Sequence, residues 1–224
     1  MIPSIPTPPQ EITTSLFSLI DTSGVVVGAL AGALAARRDT RFQFDYVGII
    51  GLGMISGVGG GLARDTLLQR GMPLALAHPR YLYLALFGAM LALLFGSSVG
   101  PRMTRAILVI DALALGFFAI AGAIRAQAAG LGLLPCLLLG VMTAVGGGSL
   151  RDVFSGRTPS VFERGEPYAT AAATSALLFL LLLRAGVPAG AASPIGILAG
   201  FLMRLLSVRF GWRTKAVRNY GDGT

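Results

Sequence analysis

The chain has 224 residues, 54% of them apolar and 12% charged, with a mean hydropathy of +0.74, whereas soluble domains carry about 25% charged residues. Uncharged runs occupy 46–63, 81–101, 126–150, 167–183 and 185–203, most of them long enough to cross a bilayer as a helix. These values exclude a disordered chain, a disulfide scaffold and a cytosolic enzyme, and they indicate an all-α polytopic membrane protein. The formal charge of +8 comes from arginines scattered between apolar segments, with a single Lys. That scatter fits membrane topology and not a nucleic-acid partner.

Residues 1–10 are rich in Pro and Thr and carry no Lys or Arg, and an apolar segment follows at 16–36. A cleaved signal peptide needs a basic region before its core. Here Arg37, Arg38 and Arg41 come after the apolar segment, which fits a retained first helix preceded by an external segment, 1–15. Apolar periodicity predicts seven spans, at 16–36, 44–68, 80–99, 104–126, 131–155, 168–184 and 194–208. Pro79 and Pro167 stand at the starts of the third and sixth, where the missing N–H costs nothing. The Pro/Gly/Ala stretch Gly186–Pro194 reads as a loop, and the last span, with Arg204 inside it, is short. Residues 209–224 form a basic tail. With this count, 13 of the 18 Lys and Arg residues fall on the side holding the C-terminus and five on the other. Positive-inside then makes the C-terminus cytoplasmic.

The spans repeat. Leu19-Ile20-Asp21 with Gly32-Ala33 recurs as Val109-Ile110-Asp111 with Gly122-Ala123, at a shift of 90 residues. Gly59-Gly60-Gly61-Leu62-Ala63-Arg64-Asp65 recurs as Gly146-Gly147-Gly148-Ser149-Leu150-Arg151-Asp152, at a shift of 87. Pro79-Arg80-Tyr81 is echoed by Glu166-Pro167-Tyr168. Residues 16–99 and 104–184 are therefore two three-helix units, and since three is odd the second enters the membrane from the opposite face, as an inverted repeat. One transmembrane domain, 16–208, results, with 194–208 as a seventh helix.

Each glycine costs about 1 kcal/mol relative to alanine inside a helix, so Gly59–Gly61 and Gly146–Gly148 predict a break or kink in the second and fifth spans. Freed backbone groups are tolerated at membrane depth only beside protein or water. Arg64, Asp65, Arg151 and Asp152 follow at once, and a charge at the bilayer centre costs roughly 2.5–3.5 kcal/mol on insertion scales. These charges call for an aqueous path or partners. Neighbours on a helix point about 100° apart, so Arg64 need not pair with Asp65, and Asp21 and Asp111 are candidate partners across the bundle. Glycines in membrane helices also serve close packing, and charges near helix ends also sit at the interface. The doubling in a repeat favours a functional role.

The stripe Gly24, Gly28, Gly32 and the pair Gly196, Gly200 read as helix-packing faces. Tyr81 and Tyr168 read as interfacial anchors, His78 as a solvated loop residue, and Cys136 as a small packing residue. There is one His and one Cys, no Gly-x-Ser-x-Gly, and no Walker lysine after the glycines. No enzyme, metal site or cofactor is expected.

The Ile-Asp and Gly-Ala pairs, the doubled Gly-Gly-Gly-x-x-Arg-Asp and Gly156-Arg157-Thr158-Pro159 resemble the prokaryotic trimeric intracellular cation (TRIC) channel family, which overlaps bacterial glycine-transporter-like sequences. The resemblance covers roughly 16–208. It implies a homotrimer with a pore in each subunit, passing monovalent cations such as K⁺ and Na⁺ along kinked second and fifth helices. On this sequence that maps to Gly59, Gly60, Gly61, Arg64, Asp65, Gly146, Gly147, Gly148, Arg151 and Asp152, with Asp21 and Asp111 beside them. Animal members carry Lys-Glu-Val and bind phosphoinositide lipid, where this chain has Arg-Asp-Thr and Arg-Asp-Val, so bound lipid stays open. In the first unit Gln69-Arg70-Gly71-Met72-Pro73 replaces Gly-Arg-Thr-Pro with one extra residue. Two functions follow as expectations: a monovalent-cation channel of the inner membrane or, as the alternative, a secondary transporter of a small zwitterion such as glycine. Two arginines sit awkwardly in a cation pore, so the cation assignment rests on the resemblance.

Overall fold

A computed structural model describes residues 10–95, 101–163 and 167–212. Most of the N-terminal segment and of the basic tail lies outside them. The described chain is all-helical, with eight helices: α1 (Gln10–Arg37), α2 (Tyr46–Leu68), α3 (Leu74–Ala77), α4 (Arg80–Phe95), α5 (Pro101–Ala128), α6 (Leu133–Phe154), α7 (Tyr168–Arg184) and α8 (Ala189–Arg209). Five stretches are long and apolar enough to cross a membrane, namely Ser15–Arg37, Tyr46–Leu68, Arg105–Ala128, Leu133–Phe154 and Ala189–Arg209, while α4 and α7 are shorter apolar helices. At 1.5 Å per residue the 23 residues of α2 reach roughly 34 Å, enough for the hydrocarbon core.

Three expectations are corrected. A single turn, α3, stands where a plain loop was predicted. The stretch 186–194 is helical from Ala189 onward, with Pro194 inside α8; alanine and glycine around the proline leave room for the turn, and the proline forfeits one backbone bond. Of the expected break or kink, the break does not occur: both triple glycines lie within continuous helix, since α2 runs on to Leu68 and α6 to Phe154.

Local chemistry sets the helix ends. Asp45 caps α2 by accepting the Gly48 N–H at 2.7 Å. The two triple-glycine helices end on matching left-handed residues: Gln69 at φ 50° after α2, where a side chain is rarely tolerated, and Gly156 at φ 66° just past α6.

In lipid the helices gain little from apolar burial and associate through close packing of small residues. Accordingly the core is alanine-rich, with Ala29, Ala85, Ala89, Ala119, Ala123, Ala172 and Ala176 fully enclosed. α1 is central, touching α2, α4 and α5, and α5 in turn contacts α6, α7 and α8. The glycine stripe of α1 packs inside the chain: a Cβ on Gly24 or Gly28 would meet the Phe118 ring, and one on Gly32 would meet Ser56. Gly196 and Gly200 face Ser175 in the same way. Cys136 is enclosed, as expected of a packing residue. Large apolar side chains such as Phe87, Leu94, Leu134, Leu138 and Leu198 point outward, the face a bilayer would cover.

Candidate functional site

The site is built around the crossing of α2 and α6. A Cβ on Gly60 would collide with the Thr143 carbonyl, one on Gly147 with the Ser56 carbonyl, and one on Gly59 would come within 2.8 Å of Leu150. The glycines thus let two backbones touch. Gly61 and Gly148, the last glycine of each triplet, have no such neighbour, their nearest atoms being Arg64 Nη2 at 3.6 Å and Arg151 Nη2 at 3.8 Å. The predicted break is absent because tight packing across the crossing offsets the weak propensity of glycine.

The crossing leaves the arginine–aspartate ends of α2 and α6 at opposite ends of the bundle. At the α2 end, Arg64 is 1% exposed. Its Nη1 donates to Asp21 Oδ1 at 2.7 Å and its Nε to Asp65 Oδ1 at 2.8 Å. The guanidinium lies 5.3 Å from the Phe17 ring, whose other neighbour is Arg125 at 5.5 Å. Arg125 approaches Asp65 at 3.8 Å. Asp65 Oδ2 accepts the Leu74 N–H at 3.0 Å, which ties the helix end to α3. A planar fork that satisfies two carboxylates explains how a guanidinium can be buried here. Asp21, one of the two candidate partners across the bundle, meets Arg64, and the bond to its chain neighbour Asp65 exists as well, through Nε and Nη2.

At the α6 end the same residue types are arranged more openly. Arg151 donates from Nε and Nη2 to Asp152 Oδ1 at 3.0 and 2.8 Å, and Asp152 Oδ2 accepts the Ser160 N–H at 3.1 Å, matching the Asp65–Leu74 contact. Arg151 does not seal Asp111. Asp111 instead shares a cavity lining with Tyr168, over whose ring the Arg204 guanidinium lies at 5.1 Å. These groups line one cavity of about 270 Å³, its wall including Arg38, Asp111, Gly148, Arg151, Tyr168 and Arg204. It has room for several waters, whereas the hollow beside Asp65 and Arg125, about 10 Å³, holds at most one.

Tyr81 and Tyr168 are not interfacial anchors. Tyr81 is 3% exposed, its hydroxyl buried without a hydrogen-bond partner among the described residues, and Tyr168 stands in the cavity wall. A tyrosine next to a proline at a helix start fits an anchor equally well from sequence, and only the packing of α4 on α1 and of α7 on α5 separates the readings. Sequence reasoning gave no site role to Arg125, Arg204, Asp39 or Arg157. Asp39 lies in the α1–α2 connection, yet its side chain is only 2% exposed, and Arg157 Nη2 reaches its Oδ2 at 2.6 Å. Burial opposes ionisation of Asp39, but the Arg41 N–H, the Arg157 charge and the Phe42 N–H outweigh it and hold the carboxyl below its ordinary value. Among the described residues, no group of three or more His, Cys, Asp and Glu could hold a metal ion.

A family model described as "Glycine transporter" matches residues 18–97 and 108–184. The chain belongs to that family. Its relatives include the UPF0126 membrane protein of Deinococcus radiodurans, 38% identical over 89% of this chain and 88% of that one. The UPF0126 inner membrane protein YadS of Escherichia coli K12 is 32% identical over 88% and 92%. Among solved structures, the TRIC trimeric intracellular cation channel orthologue from Rhodobacter sphaeroides superposes with a TM-score of 0.79 at 35% identity, over 88% of this chain and 99% of that one. A prokaryotic TRIC channel crystallised in 0.5 M KCl gives 0.79 at 27% identity, over 90% and 100%. The family is thus one of multi-pass membrane proteins with the TRIC fold, and both triple-glycine elements lie inside the matched segments.

Proposed function

We propose that the protein is a channel for monovalent cations, K⁺ and Na⁺, in the inner membrane, acting as a homotrimer with one pathway per subunit along α2 and α6. On this reading α3 is a surface turn and the other seven helices span the membrane. α1, α2 and α4 form one unit, α5, α6 and α7 its inverted copy, and α8 the addition. The N-terminus is external and the C-terminus cytoplasmic. The observation that carries the proposal is the matched pair of acid–arginine clusters at the two ends of the α2–α6 crossing, one sealed and one facing a cavity. Asp21, Asp65, Asp111 and Asp152 supply the negative charge that draws cations; Arg64 holds Asp21 and Asp65, and Arg151 holds Asp152. Gly61 and Gly148 keep the wall beside each arginine free of side chains, and the other four glycines set the crossing. The likeness to TRIC cation channels supports the same reading, with membrane lipid as the surrounding partner. In this conformation the pathway is closed where Arg64 bridges Asp21 and Asp65.

A second reading has one observation of its own. Three arginines and Asp111 around one cavity could bind the two ends of a small zwitterion such as glycine, in line with the description of the family. Purified protein in planar bilayers under a KCl gradient separates the two. Unitary currents reversing near the K⁺ potential establish the channel, and their absence together with saturable uptake of labelled glycine into liposomes establishes the transporter.

A further inference from the structure

Asp39 and Arg157 stand at the end of the bundle where α1 stops and α7 starts, apart from the clusters assigned to the pathway. Asp39 Oδ1 accepts the Arg41 N–H at 2.8 Å and the Phe42 N–H at 3.4 Å, and its Oδ2 receives Arg157. Their chain neighbours are walls of the large cavity: Ala35 and Arg38 on the α1 side, Ser160 and Val161 on the α6–α7 side. Ser160 is itself held by Asp152. One ion pair therefore joins the two connections that flank the cavity.

The opposite end offers a natural comparison. Arg70, which matches Arg157 in the internal repeat, also reaches across to the end of the facing helix, but it donates to the Ala128 and Ala129 carbonyls at 3.2 and 2.9 Å. Among the described residues no carboxylate pairs with Arg70 there, and the adjoining hollow is about 10 Å³. The charged form of this contact occurs at the end that carries the open cavity.

We infer that the Asp39–Arg157 ion pair is a strap that limits the mouth of the cavity and so controls how freely water and solutes reach Asp111 and Arg151. The strap rests on the proposed pathway only for its effect on current; its effect on access can be read without one. Asp39→Asn keeps an oxygen for the two backbone N–H groups, and replaces the Oδ2 that receives Arg157 by an uncharged NH2 donor, which cannot accept from the guanidinium. Arg157→Gln removes the partner from the other connection and leaves Arg41 Nε, 3.8 Å from Oδ1 within the connection of Asp39 itself.

The test uses the full chain with Cys136→Ala, so that Val145→Cys on the cavity wall is the only thiol, and follows its modification by a neutral methanethiosulfonate. Asp39→Asn and Arg157→Gln should each raise the rate at least fivefold, the double variant should add nothing further, and Arg157→Lys and Arg70→Gln should stay near the parent. Raising salt from about 0.1 to 1 M shortens the Debye length from roughly 10 to 3 Å, and Arg157 is partly exposed. High salt should therefore accelerate modification in the parent and not in Arg157→Gln, a comparison that holds even if Asp39→Asn does not fold. Unchanged or reduced rates in the single variants, or independent effects that multiply in the double, overturn the strap. Because thiol modification requires no current, this result stands apart from the success or failure of the channel assay.

Discussion

Arg64 is the charged side chain on which this structure depends most. Buried guanidinium is tolerated only with its donors satisfied, and Asp21 and Asp65 supply that satisfaction from two helices. Removing one partner of a buried pair costs about 3–5 kcal/mol, mostly because the other charge is left uncompensated. Asp21→Asn should therefore lower the thermal unfolding temperature in detergent sharply, and Asp21→Asn combined with Arg64→Met should recover much of the loss. Asp111→Asn should cost less, since its surroundings open into a cavity. Equal losses at Asp21 and Asp111 would contradict the difference between the two ends. Asp39 makes a prediction about pH. Its carboxyl titrates below the ordinary aspartate range in the folded chain, so the folded state holds fewer protons than the unfolded one where the two titrations differ. The stabilisation is complete above the unfolded value and is lost only as pH falls through the lower, folded one. Modification of Val145→Cys by a neutral reagent, corrected for thiolate content, should therefore be flat from about pH 8 to pH 5; a rise near pH 6 would sink the assignment.

At the level of elements, the triple glycines separate two ideas that sequence alone leaves together. If they marked helix breaks, alanine at any of the six positions would straighten and stabilise the helix. The contacts say otherwise, since a methyl group on Gly60 or Gly147 meets a backbone carbonyl of the other helix and one on Gly61 or Gly148 meets little. Gly60→Ala and Gly147→Ala should each lower thermal stability by several degrees. Gly61→Ala and Gly148→Ala should be neutral or gain up to about 1 kcal/mol from helix propensity. The measurement is the unfolding midpoint of each variant in one detergent. The repeat offered Asp21 and Asp111 as partners across the bundle without assigning them: Asp21 bonds Arg64, while Asp111 lines the cavity. Propensity misjudged the glycines because it scores a residue without its neighbour, and Ser56 and Thr143 become neighbours only when α2 and α6 cross. Arg157 had its signal in the match to Arg70. Its partner Asp39 had none, since the other unit uses the carbonyls of Ala128 and Ala129 in that place.

For the whole molecule, the two ends of the bundle differ in charge as well as in openness. The end that receives α1, α6 and α8 carries Arg37, Arg38, Arg41, Arg105, Arg151, Arg157, Arg204 and Arg209, while the other carries Arg64, Arg70, Arg80, Arg125 and Arg184. The positive-inside tendency acts through residues close to the helix ends, so on the proposed orientation the large cavity faces the cytoplasm. The sealed Asp21–Arg64–Asp65 cluster then faces outward. This has a consequence independent of any current. In the Cys136→Ala background, Val145→Cys should react with a charged, membrane-impermeant thiol reagent in inverted membrane vesicles and stay protected in intact spheroplasts. Reaction in spheroplasts alone would mean the reverse insertion, and with it an external cavity and a cytoplasmic seal. Equal reaction from both sides would mean that the α2–α6 crossing and the Arg64 cluster do not close the subunit, contrary to a guanidinium that is 1% exposed. Protection from both sides would mean that the cavity between Asp111 and Arg151 is not continuous with water, which would remove the observation on which the conducting pathway rests.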